Sequence, residues 1–510
     1  MLASALVLDL STPFSPVAGA SRRFAPSLKS KAQDPEDFAR YLVLVVLDAC
    51  RPEYFALAPM PNLESLAANG VTYTDAWTGS LVGTTGPAHV QMSTGTFPWR
   101  NGLFAMEWYD WELGKRVTPC TLEAVRRGEM ARIVRESGVP TLAGLLKARY
   151  PNACVAATSA QKFYAAQGLG VGPADYILYS TPPPDLVPQA LPGHIPSDKI
   201  MHDPRLRIRV KVPGDENIFA ARAALALFQK YKPRMLLINL PAHDEYGHST
   251  GGIIAPDVMR QITVASDQAL GELMAAYQDA GLFPRTLWVV LADHGMIPNT
   301  HQVDPRVIRD IVREARARGI RGSLSLNIPF HYLRKPPLGT DLAEVIAQHE
   351  VSGLVGLYVK NGEGPYEYQA VPTTEAKIAP SLNQTYRYLM STFAGRVSPD
   401  VVTVLGENTV VGTRPLNSHG FHRYVSWGAQ HIPLILSGPG VLQGAVLPSP
   451  ARLVDLAPTF VRLMGLPAAN MDGIVLADAL VAPTRKEVAA QERVTTFLAP
   501  LRDALKATSV

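Results

Sequence analysis

Three strand-length apolar runs, each leading straight into acids and histidines, restrict what this chain can fold into. They are YLVLVVLDAC at residues 41–50, RMLLINLPAHDEYGH at 234–248 and TLWVVLADHG at 286–295. A strand with one face in water alternates apolar and polar side chains. These runs do not alternate, so both of their faces must be covered. Between them lie helical patterns such as FAARAALALFQKY at 219–231 and VMRQITVASDQALGELMAAYQDAG at 258–281. Alternation of doubly covered strands with helices predicts an α/β fold with one central, mostly parallel sheet sandwiched by helices. Sheets of this kind bind ligands beyond the carboxyl ends of their strands, which turns attention to the polar residues found there.

Those ends deliver Asp48, then Asp244 with His248, then Asp293 with His294. His419, in SHGFHRY just before the apolar run IPLILSGPG, is a fourth candidate. A single aspartate at a strand end is more often a turn or cap residue, and a single histidine more often a structural group. Their joint occurrence after strand-like runs carries the metal reading. Carboxylate oxygen and imidazole nitrogen suit zinc or a similar divalent ion, and a set without cysteine suits an open, catalytic site. Six such ligands exceed the need of one tetrahedral ion, whereas two ions would use them all.

The stretch TTGPAHVQMSTG, residues 84–95, has only Val90 and Met92 as sizeable apolar side chains, so core packing does not explain it. Its paired threonines supply hydroxyls next to Gly-Pro, with His89 close behind.

A length of 510 residues predicts two domains or one large domain with insertions. The predicted division is an N-terminal arm at 1–38, a catalytic α/β domain at 39–297 and 415–482, a cap inserted at 298–414, and a C-terminal helix at 483–510. The proline-rich excursion at about 178–215 contains RLRIRVKV, residues 205–212, whose four basic side chains would share one face of a strand. That face reads first as a solvated edge and second as a lid for an anionic substrate. A net charge of +4 gives no argument for a nucleic-acid partner. Cys50, Cys120 and Cys154 have no CxxC spacing, which argues against a disulfide framework or a thiolate site. No apolar run approaches the 18 residues of a membrane span. The first residues, MLASALVLDLSTPFSPVAGA, read as a flexible arm or a poor signal peptide, since Asp9 interrupts the apolar stretch and no Lys or Arg precedes it. The compartment and the oligomeric state stay open.

Taken in order, VVLDACRPEYF, TGPAHVQMSTG, DEYGH, LADHGM and SHG resemble the motifs of the alkaline phosphatase superfamily, and within it the nucleotide pyrophosphatase/phosphodiesterase branch. LVDLAPTFVRLMGLP followed by MDG is similar to that family's closing helix and loop. The resemblance covers roughly residues 40–480. It implies an alkaline phosphatase-like fold and a hydrolase of phosphodiester or pyrophosphate bonds, with small anionic, nucleotide-like phosphate esters as substrates. It also implies two divalent ions, zinc first and manganese or magnesium as alternatives. One ion would be held by Asp48, Asp293, His294 and Thr85, the other by Asp244, His248 and His419. Thr85 would be the nucleophile and form a phosphothreonine intermediate. Ala88 stands where the branch usually carries an asparagine that donates to a phosphate oxygen. Its task falls to the backbone of Thr85 or Gly86, or to Arg100 or Asn101. Sibling chemistries on the same scaffold are a phosphomonoesterase, a phosphonate hydrolase and a phosphomutase. A sulfatase is disfavoured because CxPxR is absent. A binding protein without turnover would show a broken ligand set, and none is seen.

Overall fold

The computed structural model describes residues 38–323, 330–334, 339–361, 364–410, 418–422 and 425–508. The arm predicted at 1–38 thus falls almost wholly outside the described residues.

The three apolar runs form adjacent strands, Thr286–Leu291, Tyr41–Leu47 and Met235–Leu240. They pair in parallel, Leu42 opposite Met235 and Leu287. Val155–Thr158 and Tyr176–Ser180 extend the parallel run beyond Met235–Leu240. The full sheet has nine strands, in the order Ala445–Leu447, Gly70–Tyr73, Leu434–Ser437, Thr286–Leu291, Tyr41–Leu47, Met235–Leu240, Val155–Thr158, Tyr176–Ser180 and Pro188–Ala190. Only Leu434–Ser437 and Pro188–Ala190 run against the others. Central-strand side chains are buried on both faces, which explains why their sequences do not alternate. The helices Asp215–Tyr231 and Pro256–Asp279 bury one face each, including Phe219, Leu227, Leu270 and Tyr277.

The TTGPAH stretch opens a fully buried helix, Thr85–Thr94. Thr84 is its extended N-cap residue, and Gly95 at φ 64° ends it in the left-handed region that favours glycine. A second short helix, Phe163–Leu169, lies against it through small residues. A Cβ on Gly168 would stand 2.9 Å from His89 Cβ and 3.3 Å from the Gly86 carbonyl oxygen, so only glycine permits this approach. Gly168→Ala is expected to lower stability by about 1–3 kcal/mol through overpacking. Thermal denaturation checks it, with unchanged stability as the contrary result.

Residues 322–405 contribute a separate five-stranded sheet, in the order Gly322–Ser323, Phe330–Leu333, Val401–Leu405, Leu354–Lys360 and Tyr368–Ala370. Its helix Pro380–Ser391 packs on the C-terminal helix Arg485–Lys506, where Thr385 Oγ1 donates to the Leu501 carbonyl at 2.9 Å. The strand expected over 205–212 is a correction. Ladder pairing is limited to Ile208–Arg209 opposite Asp185–Leu186. Asp203 caps a 3-10 turn at Pro204–Leu206 and Asp215 draws in the Lys211 and Val212 amides, so both ends of the stretch turn away from extended pairing. No helix among the described residues is long and apolar enough to cross a membrane.

Candidate metal centre and active site

The parallel strands end side by side, and the residues just past those ends converge. Asp48 follows Tyr41–Leu47, Asp293 and His294 follow Thr286–Leu291, and Asp244 lies in the first turn of the helix Ala242–Thr250 after Met235–Leu240. Asp48, Asp293 and His294 form one group whose ligand atoms lie within 4.8 Å of one another. His294 Nε2 stands 3.2 Å from Asp293 Oδ2, 3.7 Å from Asp48 Oδ1 and 3.4 Å from Thr85 Oγ1. Asp293 is aimed by two backbone amides, Ala49 N–H at 3.1 Å and His294 N–H at 3.0 Å. To present its amide, Ala49 adopts φ 58°, a strained value for a residue with a Cβ.

The second group consists of Asp244, His248 one helical turn later, and His422. His248 Nε2 is 3.5 Å and His422 Nε2 3.4 Å from the Asp244 carboxylate. The structure brings His422, and not the expected His419, to this group. The His419 backbone is held at both faces, N–H to the His248 carbonyl at 2.7 Å and carbonyl to Asn299 N–H at 2.7 Å, while its side chain is exposed. The two-residue strand Gly420–Phe421 carries the chain inward, and His422 is the ring that enters, stacked on His294 with centroids 3.7 Å apart.

The donors fit divalent ions. In all three histidines Nδ1 faces a backbone carbonyl, Gly295 at 3.0 Å, Gly420 at 2.9 Å and Gly83 at 2.8 Å for His294, His248 and His422 respectively. An Nδ1–H donated there fixes the tautomer that leaves each Nε2 lone pair for a ligand. Asp244 Oδ1 and Asp293 Oδ2 are buried and accept no hydrogen bond among the described residues, a costly state for oxygens of this kind unless a cation joins them.

Three neighbours escape motif-level reading. Lys162, the residue before the helix Phe163–Leu169, is buried and touches both groups, with Nζ 3.1 Å from Asp48 Oδ1 and 2.5 Å from Asp244 Oδ2. Asn239 donates one amide hydrogen to Asp48 Oδ2 at 2.8 Å and the other to His89 Nε2 at 3.1 Å, while Ser159 donates to its oxygen at 2.8 Å. His89 in turn donates from Nδ1 to the Thr85 carbonyl at 2.6 Å. This chain locks the first turn of the Thr85 helix to Asp48. Burial lowers His89 to about 3, which keeps the ring neutral with one donor and one acceptor, as both contacts require. His422 is the third.

Burial, with Asp293 beside it, pushes the Asp48 carboxyl up to about 8, and burial pushes Asp293 up to about 7. Burial acts in the same sense on Asp244, but Lys162 together with His248, His422 and His294 outweighs it and holds that carboxyl well below the usual range. An ion entering the first group must displace protons from carboxyls whose values are raised. Affinity is therefore expected to be full above about pH 8 and to fall as pH drops through 8 and then 7. The slope should reach up to about tenfold per pH unit for each proton displaced. Calorimetric metal titrations of the stripped protein from pH 6 to 9 measure this, and a flat profile would contradict it.

Thr85 is the first residue of its helix, with Gly86 next. First-turn amides have no acceptor within a helix, so the Thr85 and Gly86 N–H groups stand at a positive helix end beside the metal groups. Arg100 and Asn101, expected as substrate contacts, are committed elsewhere. Arg100 pairs with Asp472 at 2.8 Å and donates to the Asn470 carbonyl. Asn101 is buried, donating to the Thr96 carbonyl and accepting from Leu103 N–H. Both thus brace the loop that follows the helix. Arg51 pairs with Glu53 and donates to the Met296 carbonyl, fixing the loop after Asp48.

Residues 42–424 match the family model described as type I phosphodiesterase / nucleotide pyrophosphatase. A search of curated proteins returns no match. Among solved structures, wild-type alkaline phosphatase PafA is 13% identical, with 87% of this chain and 99% of that chain covered and a TM-score of 0.67. An inactive variant of murine ectonucleotide pyrophosphatase / phosphodiesterase 5, in complex with AMP, is 17% identical over 87% of this chain and 100% of that chain, TM-score 0.57. The human form of that enzyme is 16% identical over the same shares, TM-score 0.56. At these identities the likeness is one of fold, an alkaline phosphatase-like α/β sandwich.

Proposed function

Because the chain belongs to the type I phosphodiesterase / nucleotide pyrophosphatase family, we propose that it is a two-metal hydrolase cleaving phosphodiester or pyrophosphate bonds through Thr85. The observation that carries this reading is the position of Thr85, with its hydroxyl at the ligand pole of His294 and its backbone at the N-terminus of a buried helix. In this reading Asp48, Asp293 and His294 hold one ion with Thr85, and Asp244, His248 and His422 hold the other. Bound there, divalent ions, zinc first and manganese or magnesium as alternatives, would supply Lewis acidity and neutralise charge at a phosphoryl group. The Thr85 oxygen attacks phosphorus in line, the ester oxygen opposite departs, and a phosphothreonine forms. Water then attacks that phosphorus from the vacated side and frees Thr85, so two inversions give net retention. The Gly86 N–H at the helix end takes a nonbridging oxygen, the task for which Ala88 has no donor. His89 and Asn239 act as positioning residues, holding the helix turn against Asp48.

Lys162 favours a second reading. A fixed ammonium in addition to two ions complements a dianionic phosphoryl group better than the monoanion of a diester, which supports a phosphomonoesterase on the same machinery. A hydrolysis panel separates the two. Aryl phosphodiester, aryl phosphomonoester, nucleotide diphosphate and phosphonate are assayed with zinc, manganese or magnesium. Diester or pyrophosphate turned over fastest supports the first reading, and monoester fastest supports the second. No hydrolysis with any ion rejects both.

A further inference from the structure

The three histidines of the metal groups do not hold their rings under equal conditions. The His294 side chain is fully buried and that of His422 is 8% exposed, whereas that of His248 is 33% exposed. Water therefore reaches the His248 ring and competes for the bond from its Nδ1–H to the Gly420 carbonyl at 2.9 Å. A neutral imidazole has one proton for two nitrogens. Where the Nδ1 bond weakens, that proton can settle instead on Nε2, the nitrogen that stands 3.5 Å from Asp244, and Nε2 then has no lone pair for an ion.

Ser418 stands at this weak point. Its Oγ donates to the same Gly420 carbonyl at 2.7 Å, and it lies 3.2 Å from the His248 carbonyl and 3.5 Å from His248 Nδ1. A serine hydroxyl has one proton, and the shortest contact, to Gly420, takes it; the lone pairs on Oγ then face the Nδ1–H as a second acceptor. The backbone around it is fixed. Asn299 Nδ2 donates to the Ser418 carbonyl at 2.9 Å, Asn299 N–H donates to the His419 carbonyl at 2.7 Å, and Gly420 pairs with Pro298. The strap reaches the ring because residue 420 is glycine. A Cβ there would stand 2.3 Å from the Gly247 carbonyl oxygen and 3.0 Å from Met296 Sδ. Two residues further on, the same strap delivers His422.

We infer that Ser418 is a positioning residue of the second metal group, its hydroxyl holding the Gly420 carbonyl against His248 Nδ1 and so keeping Nε2 open to an ion. The inference rests on the reading of Asp244, His248 and His422 as ligands of one ion. Two measurements on the full-length, metal-stripped protein test it. The first is calorimetric titration with zinc alone, in which the binding step lost from His422→Ala marks the second group. Ser418→Ala is expected to weaken that step by about tenfold, the low end of the range for contacts behind a ligand because the Gly420 carbonyl remains. The other step and the melting temperature of the stripped protein stay unchanged, and Ser418→Thr, which keeps the hydroxyl, restores most of the lost affinity. The second measurement is histidine-selective nitrogen NMR of the metal-free protein above the ordinary titration range of histidine. The His248 signals are those absent from His248→Gln. They are expected to show the proton on Nδ1 alone in the wild type and shared with Nε2 in Ser418→Ala. Unchanged affinity at the second step, or weakened affinity with an unchanged tautomer, overturns the inference. A wild-type protein that takes fewer than two ions rejects the metal reading itself, while the tautomer spectra, which need no ion, still decide whether Ser418 holds the His248 ring.

Discussion

Thr85→Ala is expected to reduce turnover by several orders of magnitude, corresponding to about 4 kcal/mol or more of transition-state stabilisation, while both metal groups stay loaded. The reasoning separates two roles of one oxygen. As a ligand Thr85 would be one of several donors, since Asp48, Asp293 and His294 meet without it. As the proposed nucleophile it would have no substitute, because the nearest other hydroxyl on the same turn, that of Thr84, belongs to the extended residue before the helix. Thr84→Ala is expected to cost less than about tenfold, and Thr85→Ser to retain appreciable turnover. Metal content is measured alongside rates. If Thr84→Ala abolished hydrolysis and Thr85→Ala did not, the nucleophile would be assigned to the wrong member of the pair. If neither mattered, direct attack by water with inversion at phosphorus would replace the covalent route.

The second large effect distinguishes two histidines three residues apart. His422→Ala removes a ring that stands 3.4 Å from Asp244 and stacks on His294, so one of the two ions should be lost and turnover should fall at least about 100-fold. His419→Ala removes an exposed side chain whose backbone does the holding, so content should stay near two ions per chain with little change in rate. Elemental analysis of the two variants decides. The opposite pattern would return the ligand role to His419.

That pair also marks how far residues alone carry the reading. The strand ends were legible because a strand covered on both faces must be apolar throughout, so a polar residue at its end stands out, as Asp48, Asp244 and Asp293 do. The fold class followed from the same constraint. SHG drew attention to His419 through its likeness to a motif. A two-residue strand and a turn inward are set by tertiary packing, and spacing in the sequence carries no record of them. Lys162 was illegible for a different reason. A lone lysine among Ser, Ala, Gln and aromatics has no partner at a fixed offset, and its partners lie 114 positions before and 82 after it. Asn239 left a faint trace as the single polar residue in MLLINL, a position from which an inward-facing amide could have been suspected. Arg205 to Lys211 misled because alternation of charge is compatible with a strand but does not supply a neighbour to pair with.

The dispersal of the metal ligands also sets an order of assembly during synthesis. The first group draws on Asp48, Asp293 and His294, whereas the second waits for His422, so a chain growing from its N-terminus completes one ligand set 128 residues before the other (422 minus 294). Both sets depend on contacts between distant parts of the chain, which form late because the loops joining them must close first. Ion capture at the second group would therefore act on a chain that is largely made and draw the final closure forward by mass action. If the two groups load as proposed, the yield of folded protein, and not only its activity, is expected to rise with the metal supplied while the chain is being made.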